Sequence, residues 1–311
     1  MQARPHVRLL RTEEVEQADR IMRVAFGTFL GVPDPAAYLG DADLVRTRFA
    51  ADPGAALAAE LTGELVGTNF VARWGSVGVF GPLSVAATRW DRGIARALLD
   101  ATMDVLDGWG VTHRGLFTFA QSPKHLALYQ RYGYAPRFLT AICAGAPVAR
   151  SDGWTTFGES EDRAAALAAA AAVTGSVFLG LDVRSEILAV TELALGDTVM
   201  VYDDAGLGAF AVCHVGAGSE AGSGICYVKF AAARAGADAP GRFSHLVDAV
   251  ESFAASRGVS VVTAGVSTAR RGAYAQLLGR GYQVQRTGVT MHAPDVDAYH
   301  HPGAFVLDDW R

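Results

Sequence analysis

Apolar residues recur along this chain with two periods, near 2 and near 3.6, and the switches between them predict the elements. VRLLR (7–11) reads as a strand. TEEVEQADRIMRVAF (12–26) reads as a helix with Thr12 as its N-cap and acids in its first turn. AALAAEL (55–61), a turn at Thr62-Gly63 and ELVGTNFVARW (64–74) make a hairpin. GVFGPLSV (78–85) is the next strand, with a bulge or splayed pairing at Gly81-Pro82 because proline cannot donate to a ladder. From Ile94 the spacing turns helical, placing Ile94, Ala95, Leu98, Leu99, Met103 and Leu106 on one face. HRGLFTFA (113–120) is a strand, and PKHLALYQRY (123–132) is a helix that Gly133 ends.

The same succession then returns. TTF (155–157), an alanine helix from Glu161, a hairpin over TVMVYDDAGLGAFAVCHV (198–215) and a strand ICYVKFAAA (225–233) precede a helix from Arg242. That helix carries Phe243, Leu246, Val247, Val250, Phe253 and Ala254 as one stripe. VSVVTAGV (259–266), RGAYAQLLGR (271–280) and a strand near YQVQRTGVTM (282–291) complete it. Gly93 matches Gly241, Gly110-Val111 matches Gly258-Val259 and Gly133-Tyr134 matches Gly281-Tyr282, every pair 148 residues apart. Leu98, Asp100 and Ala101 find Leu246, Asp248 and Ala249 at the same spacing, so the chain is a tandem duplication. The expected domains are residues 1–146 and 152–311, joined by the small, polar linker Ala144 to Gly153. The closing segment DVDAYHHPGAFVLDDWR lies outside the repeat and is expected to pack back through Phe305, Val306, Leu307 and Trp310.

Composition narrows the class. The 311 residues suffice for two domains with separate cores, and a net charge of −5 supplies no footprint for nucleic acid or an anionic membrane. Lysine stands only at Lys124 and Lys229 against an excess of arginine, which with the alanine runs suggests a GC-rich bacterial genome. Cys143, Cys213 and Cys226 are odd in number, widely spaced and without metal-ligand spacing, so they read as buried thiols of a reducing, cytoplasmic setting with no metal. The N-terminus has no apolar core of a secretory signal. The uncharged run Ala164 to Leu181 is weakly apolar and interrupted by Thr174, Gly175, Ser176 and Gly180, so it reads as a core helix rather than a membrane span.

The candidate chemistry lies in RWDRGIARALL (89–99) and SPKHLALYQRYGY (122–134). A glycine turn opening an amphipathic helix offers unpaired backbone N–H groups and the positive end of a helix dipole, a setting suited to a pyrophosphate. Together the two segments resemble the GNAT superfamily of acyl-CoA N-acyltransferases, whose signatures are Q/R-x-x-G-x-G/A and N-x-x-A-x-x-L-Y-x-x-x-G-F/Y. Here the first reads Trp90-Asp91-Arg92-Gly93-Ile94-Ala95, and the second reads Ser122, His125, Leu128-Tyr129 and Gly133-Tyr134. Trp90, Ser122 and His125 depart from the pattern, and none of the three removes a backbone N–H.

The resemblance implies an α+β fold of three layers, α/β/α, repeated as two tandem GNAT folds with a mixed, mostly antiparallel sheet. It implies acetyl-CoA as co-substrate and no metal. Leu83, Ser84 and Val85 would pair with pantetheine, and Trp90, Asp91, Arg92, Gly93, Ile94, Ala95, Arg96, Ser122 and Tyr129 would complete the cofactor site. Tyr129 would be the proton donor to the CoA thiolate, against its alternative as a core aromatic. His125, one helical turn before it, would hold the phenol or relay a proton, against plain solvation. His113 is expected at the surface, and His300-His301 in solvent beside Asp295 and Asp297. No G-x-S-x-G elbow accompanies the eight histidines, which argues against a serine hydrolase.

At the repeat spacing the second turn reads Asp238-Ala239-Pro240-Gly241-Arg242-Phe243, and Tyr129 becomes Leu277. Pro240 removes a donor, Phe243 adds bulk at the Ala95 position and Asp238 adds negative charge. The second half is therefore expected to be degenerate, covering the first and shaping its acceptor cleft. The expected activity is N-acetyl transfer to a primary amine, on a small molecule or on a protein or peptide, with a homodimer compatible. The alternative is a sensor that holds acetyl-CoA without turnover. The apolar region Phe26, Phe29, Pro33, Tyr38 and Leu44 suits an acceptor with a hydrophobic part, or ordinary core packing.

Overall fold

The computed structural model describes residues 4–150 and 153–311; Ser151 and Asp152 of the expected linker, and the first three residues of the N-terminus, lie outside the described residues. The first half runs β1 (His6–Leu9), α1 (Val15–Leu30), α2 (Leu44–Ala51), β2 (Ala56–Leu61), β3 (Glu64–Trp74), β4 (Val77–Phe80), β5 (Ser84–Val85), α3 (Ile94–Gly108), β6 (His113–Thr118), α4 (Pro123–Gln130) and β7 (Ala135–Gly145). The second runs β8 (Thr155–Thr156), α5 (Arg163–Val177), α6 (Arg184–Glu192), β9 (Gly196–Asp203), β10 (Gly206–Gly216), β11 (Gly222–Ala233), α7 (Ala239–Ser256), β12 (Val261–Ser267), α8 (Arg271–Gly279), β13 (Gln283–Ala293) and β14 (Val306–Leu307).

Several element ends differ from the sequence reading for local reasons. Thr12 is not an N-cap: Thr12–Glu14 is a single 3-10 turn, and the Glu14 carboxylate accepts from the Arg11 N–H at 3.1 Å. The alanine helix starts at Arg163 because the Asp162 side chain caps it by accepting from the Ala165 N–H. The helix α7, the counterpart of α3, starts at Ala239, since Pro240 is tolerated in a first turn whose N–H groups are unpaired anyway. The linker begins later than Ala144, because β7 extends to Gly145. No described helix is long and apolar enough to cross a membrane.

Alternation along the strands builds the layers. In β2, Leu57 and Ala59 face the cluster around α3, while Ala56 and Ala58 face the cluster around α1. In β10, Ala209 and Ala211 face α7, and Phe210 and Val212 face α5 and α6. The stripe expected on α7 is buried along its whole length. One sheet therefore lies between two helical layers, as two GNAT folds require.

The duplication is visible in the register. Val77 faces His113 in the parallel pair β4–β6, and Ile225 faces Val261 in the parallel pair β11–β12, both partners shifted by 148 residues. The halves then exchange their closing strands. β13 pairs with β6 (Val289 opposite Thr118), and β7 pairs reciprocally with β12 (Ala141 opposite Val266). Between them β7 and β13 run antiparallel with Thr140 opposite Gly288, its own equivalent in the repeat. A pseudo-twofold axis passes through that pair, and the sheet is continuous from β1 to β8.

Candidate active site

The site grows from an interrupted strand. β4 follows β6 only as far as Val79 opposite Gly115, and beyond Phe80 the chain turns away at Gly81-Pro82. It resumes as β5, which pairs with β3 alone, Ser84 opposite Thr68. The expected splay is thus real, and a wedge opens between Phe80–Val85 and the end of β6. It leads into a cavity of about 890 Å³.

The glycine turn stands at one end of this cavity. Gly93 adopts φ +79° as the residue before α3, in the left-handed region; a Cβ there would meet nothing within 4 Å, so conformation rather than space demands glycine. The first helical bond runs from the Ala97 N–H to the Gly93 carbonyl, leaving the N–H groups of Ile94, Ala95 and Arg96 without intrahelical partners. The Trp90 indole donates to the Val85 carbonyl at 2.8 Å, which fastens the turn to β5, and Lys124 pairs with Asp91. Arg89 is engaged with Glu64 at 2.8 Å.

Leu83, Ser84, Val85, Trp90, Asp91, Gly93, Ile94, Ala95, Arg96, Ser122, His125 and Tyr129 all line the cavity. Arg92 does not, and its side chain is exposed. Ser122 caps α4, accepting from the His125 N–H. Tyr129 is buried against Phe80, ring centroids 6.0 Å apart, and burial alone pushes its phenol upward from the ordinary tyrosine value. The phenol is therefore protonated at neutral pH, a donor rather than a base. His125 is half-buried and packs against Phe29 at 4.9 Å and Phe119 at 6.4 Å. Burial, and then the Lys124 charge, lowers its pKa, so its imidazole is neutral. No side-chain hydrogen bond joins it to Tyr129. Phe26, Phe29, Tyr38 and Leu44 do form a cavity wall.

The second half supplies the opposite end, through Glu220, Tyr227, Arg286, Thr287, Trp310 and Arg311. Of these, the sequence pattern points only to Trp310, and only as packing. Arg48 of α2 holds this end together. It pairs with Glu220 at 3.0 Å and donates to the carbonyls of Gly81 and Arg311. Lys229 also binds Glu220, at 2.7 Å, and Glu186, at 3.1 Å; Glu186 in turn accepts from the Trp74 indole. Burial raises the Glu220 carboxyl, but Arg48 and Lys229 outweigh it and hold the group well below the usual carboxylate range. An ionised carboxylate saturated by two cations is a poor proton acceptor.

Two histidine readings are corrected. His113 is buried, not superficial, with its Nε2 3.0 Å from Nδ1 of His292. His300 is buried as well, stacked on Phe138 and 3.2 Å from the Arg270 guanidinium. Asp295 and Asp297, expected beside it, instead pair with Arg137. The exchange of strands explains the error, because β13 places His292 over β6, where no reading of either half alone would put it. The three cysteines are buried and unbridged, and no described cluster could hold a metal ion.

Residues 21–134 match the family described as Acetyltransferase (GNAT) family. No curated protein matches the chain. Among solved structures, a candidate acetyltransferase from Pyrococcus horikoshii superposes with a TM-score of 0.72 at 12% identity, covering 98% of this chain and 95% of that one. A GCN5-related N-acetyltransferase from Sphaerobacter thermophilus gives 0.61 at 16%, covering 95% and 98%. A tandem GNAT protein from the clavulanic acid biosynthesis pathway gives 0.58 at 14%, covering 93% and 98%. At such identities the likeness is one of fold, and it extends over both halves of each chain. Residues 21–134 thus match the GNAT acetyltransferase family, and the chain as a whole has the fold of two GNAT units in tandem.

Proposed function

We propose that the protein transfers an acetyl group from acetyl-CoA to a primary amine, in the first-half cavity and within a ternary complex. One observation carries this reading. A single cavity joins the unpaired N–H groups of the α3 turn, the splayed strand Leu83–Val85 and a buried, protonated phenol. The turn would hold the pyrophosphate, the free strand edge would pair with pantetheine, and Arg96 would add a guanidinium. The neutral amine attacks the thioester carbonyl carbon, the C–S bond breaks, and the electron pair leaves on sulfur. Tyr129 donates its proton to that sulfur, and the proton shed by the nitrogen returns to the phenolate through water. The aromatic wall suits an acceptor whose amine is carried on an apolar body. Cytoplasmic residence and a homodimer fit this reading.

A second reading, a sensor that binds acetyl-CoA without turnover, is favoured by the saturation of Glu220, which leaves the acceptor amine without an evident base. Screening amines for release of the CoA thiol separates the two. Turnover with any amine supports transfer; tight acetyl-CoA binding with no release across the screen supports the sensor.

A further inference from the structure

We infer that the closing segment, residues 304–311, is a built-in occupant of the second half's strand wedge, and that Trp310, which it delivers to the first-half cavity, determines acceptor specificity. The inference rests on the acetyl-transfer reading above. In the second half β11 and β12 part after Val228 opposite Ala264, as β4 and β6 do in the first. The wedge is not empty. β14 enters it with Leu307 opposite Ala231 and Val306 opposite Ala232, and the Ala233 N–H donates to the Phe305 carbonyl at 3.0 Å. Those three alanines stand at the repeat positions of Leu83, Ser84 and Val85. The Phe305 ring packs on Phe243, centroids 5.6 Å apart, and over Gly272, where an added Cβ would lie 2.5 Å from the ring. Beside Leu307 a void of about 10 Å³ remains, room for about one water. A strand tethered to its own groove outcompetes a diffusing ligand, because its effective concentration is of millimolar order.

Beyond β14 the segment is pinned by buried charges and crosses into the first half. Arg270 binds Asp308 at 3.0 Å and the Val306 carbonyl at 3.0 Å, and Tyr299 donates to Asp308 at 2.8 Å. Asp309 accepts from Tyr227 at 3.0 Å and from Arg311 at 2.7 Å. The Trp310 indole donates to the Tyr299 hydroxyl at 2.9 Å, and its ring lies on Gly115 of β6, where an added Cβ would sit 2.0 Å from the ring. Trp310 thus lines the cavity, as Phe117 does, from a rigid support, with only 3% of its surface exposed.

The test uses the full chain, with 2-phenylethylamine and ethylamine as acceptor probes and calorimetry for acetyl-CoA. In Trp310→Ala, kcat/KM for 2-phenylethylamine falls about tenfold or more while that for ethylamine changes less than about twofold, and acetyl-CoA affinity stays within about twofold. Leu307→Asp places a carboxylate in the filled wedge. It gives the same acceptor defect and removes the amide-exchange protection of Ala233, whose N–H donates to the segment, while that of Ala232, which faces β10, persists. The inference is overturned if Trp310→Ala keeps the wild-type preference between the two amines, or if wild type has no such preference. Failure of wild type to bind acetyl-CoA overturns the transfer reading instead, and protection at Ala233 then decides the seating of the segment alone.

Discussion

The wedge between β5 and β6 and the wedge between β11 and β12 start from the same register, yet the first opens into about 890 Å³ and the second retains about 10 Å³. Few side chains make the difference. Gly81-Pro82 breaks the first strand, whereas Lys229-Phe230 at the same positions lets β11 run on to Ala233 with only a β-bulge at Lys229. Ala95 leaves room above the first turn, and Phe243 is buried above the second. The segment at 305–307 then fills what β11 leaves. A duplicated fold can therefore keep its backbone pairing while one copy turns from a ligand site into a support for the other, because register depends on the sheet pattern and ligand space depends on a handful of side chains.

The comparison breaks most completely at the two turns. Ala95→Phe, which copies the second half, is expected to abolish acetyl-CoA binding, and the intact protein is expected to bind about one acetyl-CoA per chain. Each 1.4 kcal/mol is about tenfold in affinity, and a displaced pyrophosphate loses several charge-assisted bonds at about 1.5–3 kcal/mol each. Calorimetry gives both numbers. A stoichiometry near two, or binding that survives Ala95→Phe, would show that the second wedge opens to ligand.

Tyr129 faces the cavity where its counterpart Leu277 is buried in the α7 cluster. If the phenol protonates the thiolate, Tyr129→Phe lowers kcat about 100-fold, or about 2.7 kcal/mol, with acetyl-CoA affinity unchanged. Measured with any turning-over amine, an unaltered kcat would reduce Tyr129 to the aromatic packing it also performs against Phe80.

Both wedges share the exchanged seam, and its histidines make a third test. Burial lowers His113 to about 4 and His292 to about 3, the latter helped by the neighbouring His113 and by Arg137 and Arg270. Unfolded histidine titrates near 6.5, so between that value and the folded pKa the unfolded chain binds more protons and stability falls as pH falls. Each histidine adds up to about 1.4 kcal/mol per pH unit inside that window, giving a loss of about 2 kcal/mol between pH 7 and pH 5.5. Thermal unfolding at the two pH values should show it as one transition shifted by about 3 °C. Two separate transitions would mean that the halves do not melt as the unit their strand exchange implies.

The sequence made the open wedge legible and hid the filled one. Gly81-Pro82, Gly93 and the spacing of Leu128-Tyr129 from Gly133 are local signals, carried by residues whose backbone needs are intrinsic. The seating of β14 and the reciprocal pairing of β7 with β12 are long-range choices between strands of similar alternation, and no local propensity distinguishes them. The burial of His113, His292 and His300 is hidden in the sequence for the same reason. Their burial exists only once β13 lies on β6. Arg48 and Glu220 gave one faint signal, an arginine inside a short helix and an acid amid small residues, which becomes informative only when each finds the other.

The smallest effect is expected where the two turns differ most in charge. Arg92 stands where the second half has Pro240, and either the guanidinium or the backbone N–H is what the second half lost. The Arg92 side chain is exposed and does not line the cavity, whereas the N–H groups that follow it open the α3 turn. An exposed charge near a phosphate contributes about 1 kcal/mol or less in salt. Arg92→Ala should therefore weaken acetyl-CoA binding by no more than about fivefold, with most of that loss gone at high ionic strength. Arg92→Pro serves as its reference, because it deletes the same side chain and also the donor. If the alanine variant binds as poorly as the proline variant, the guanidinium holds the ligand and the backbone account of the two turns is wrong.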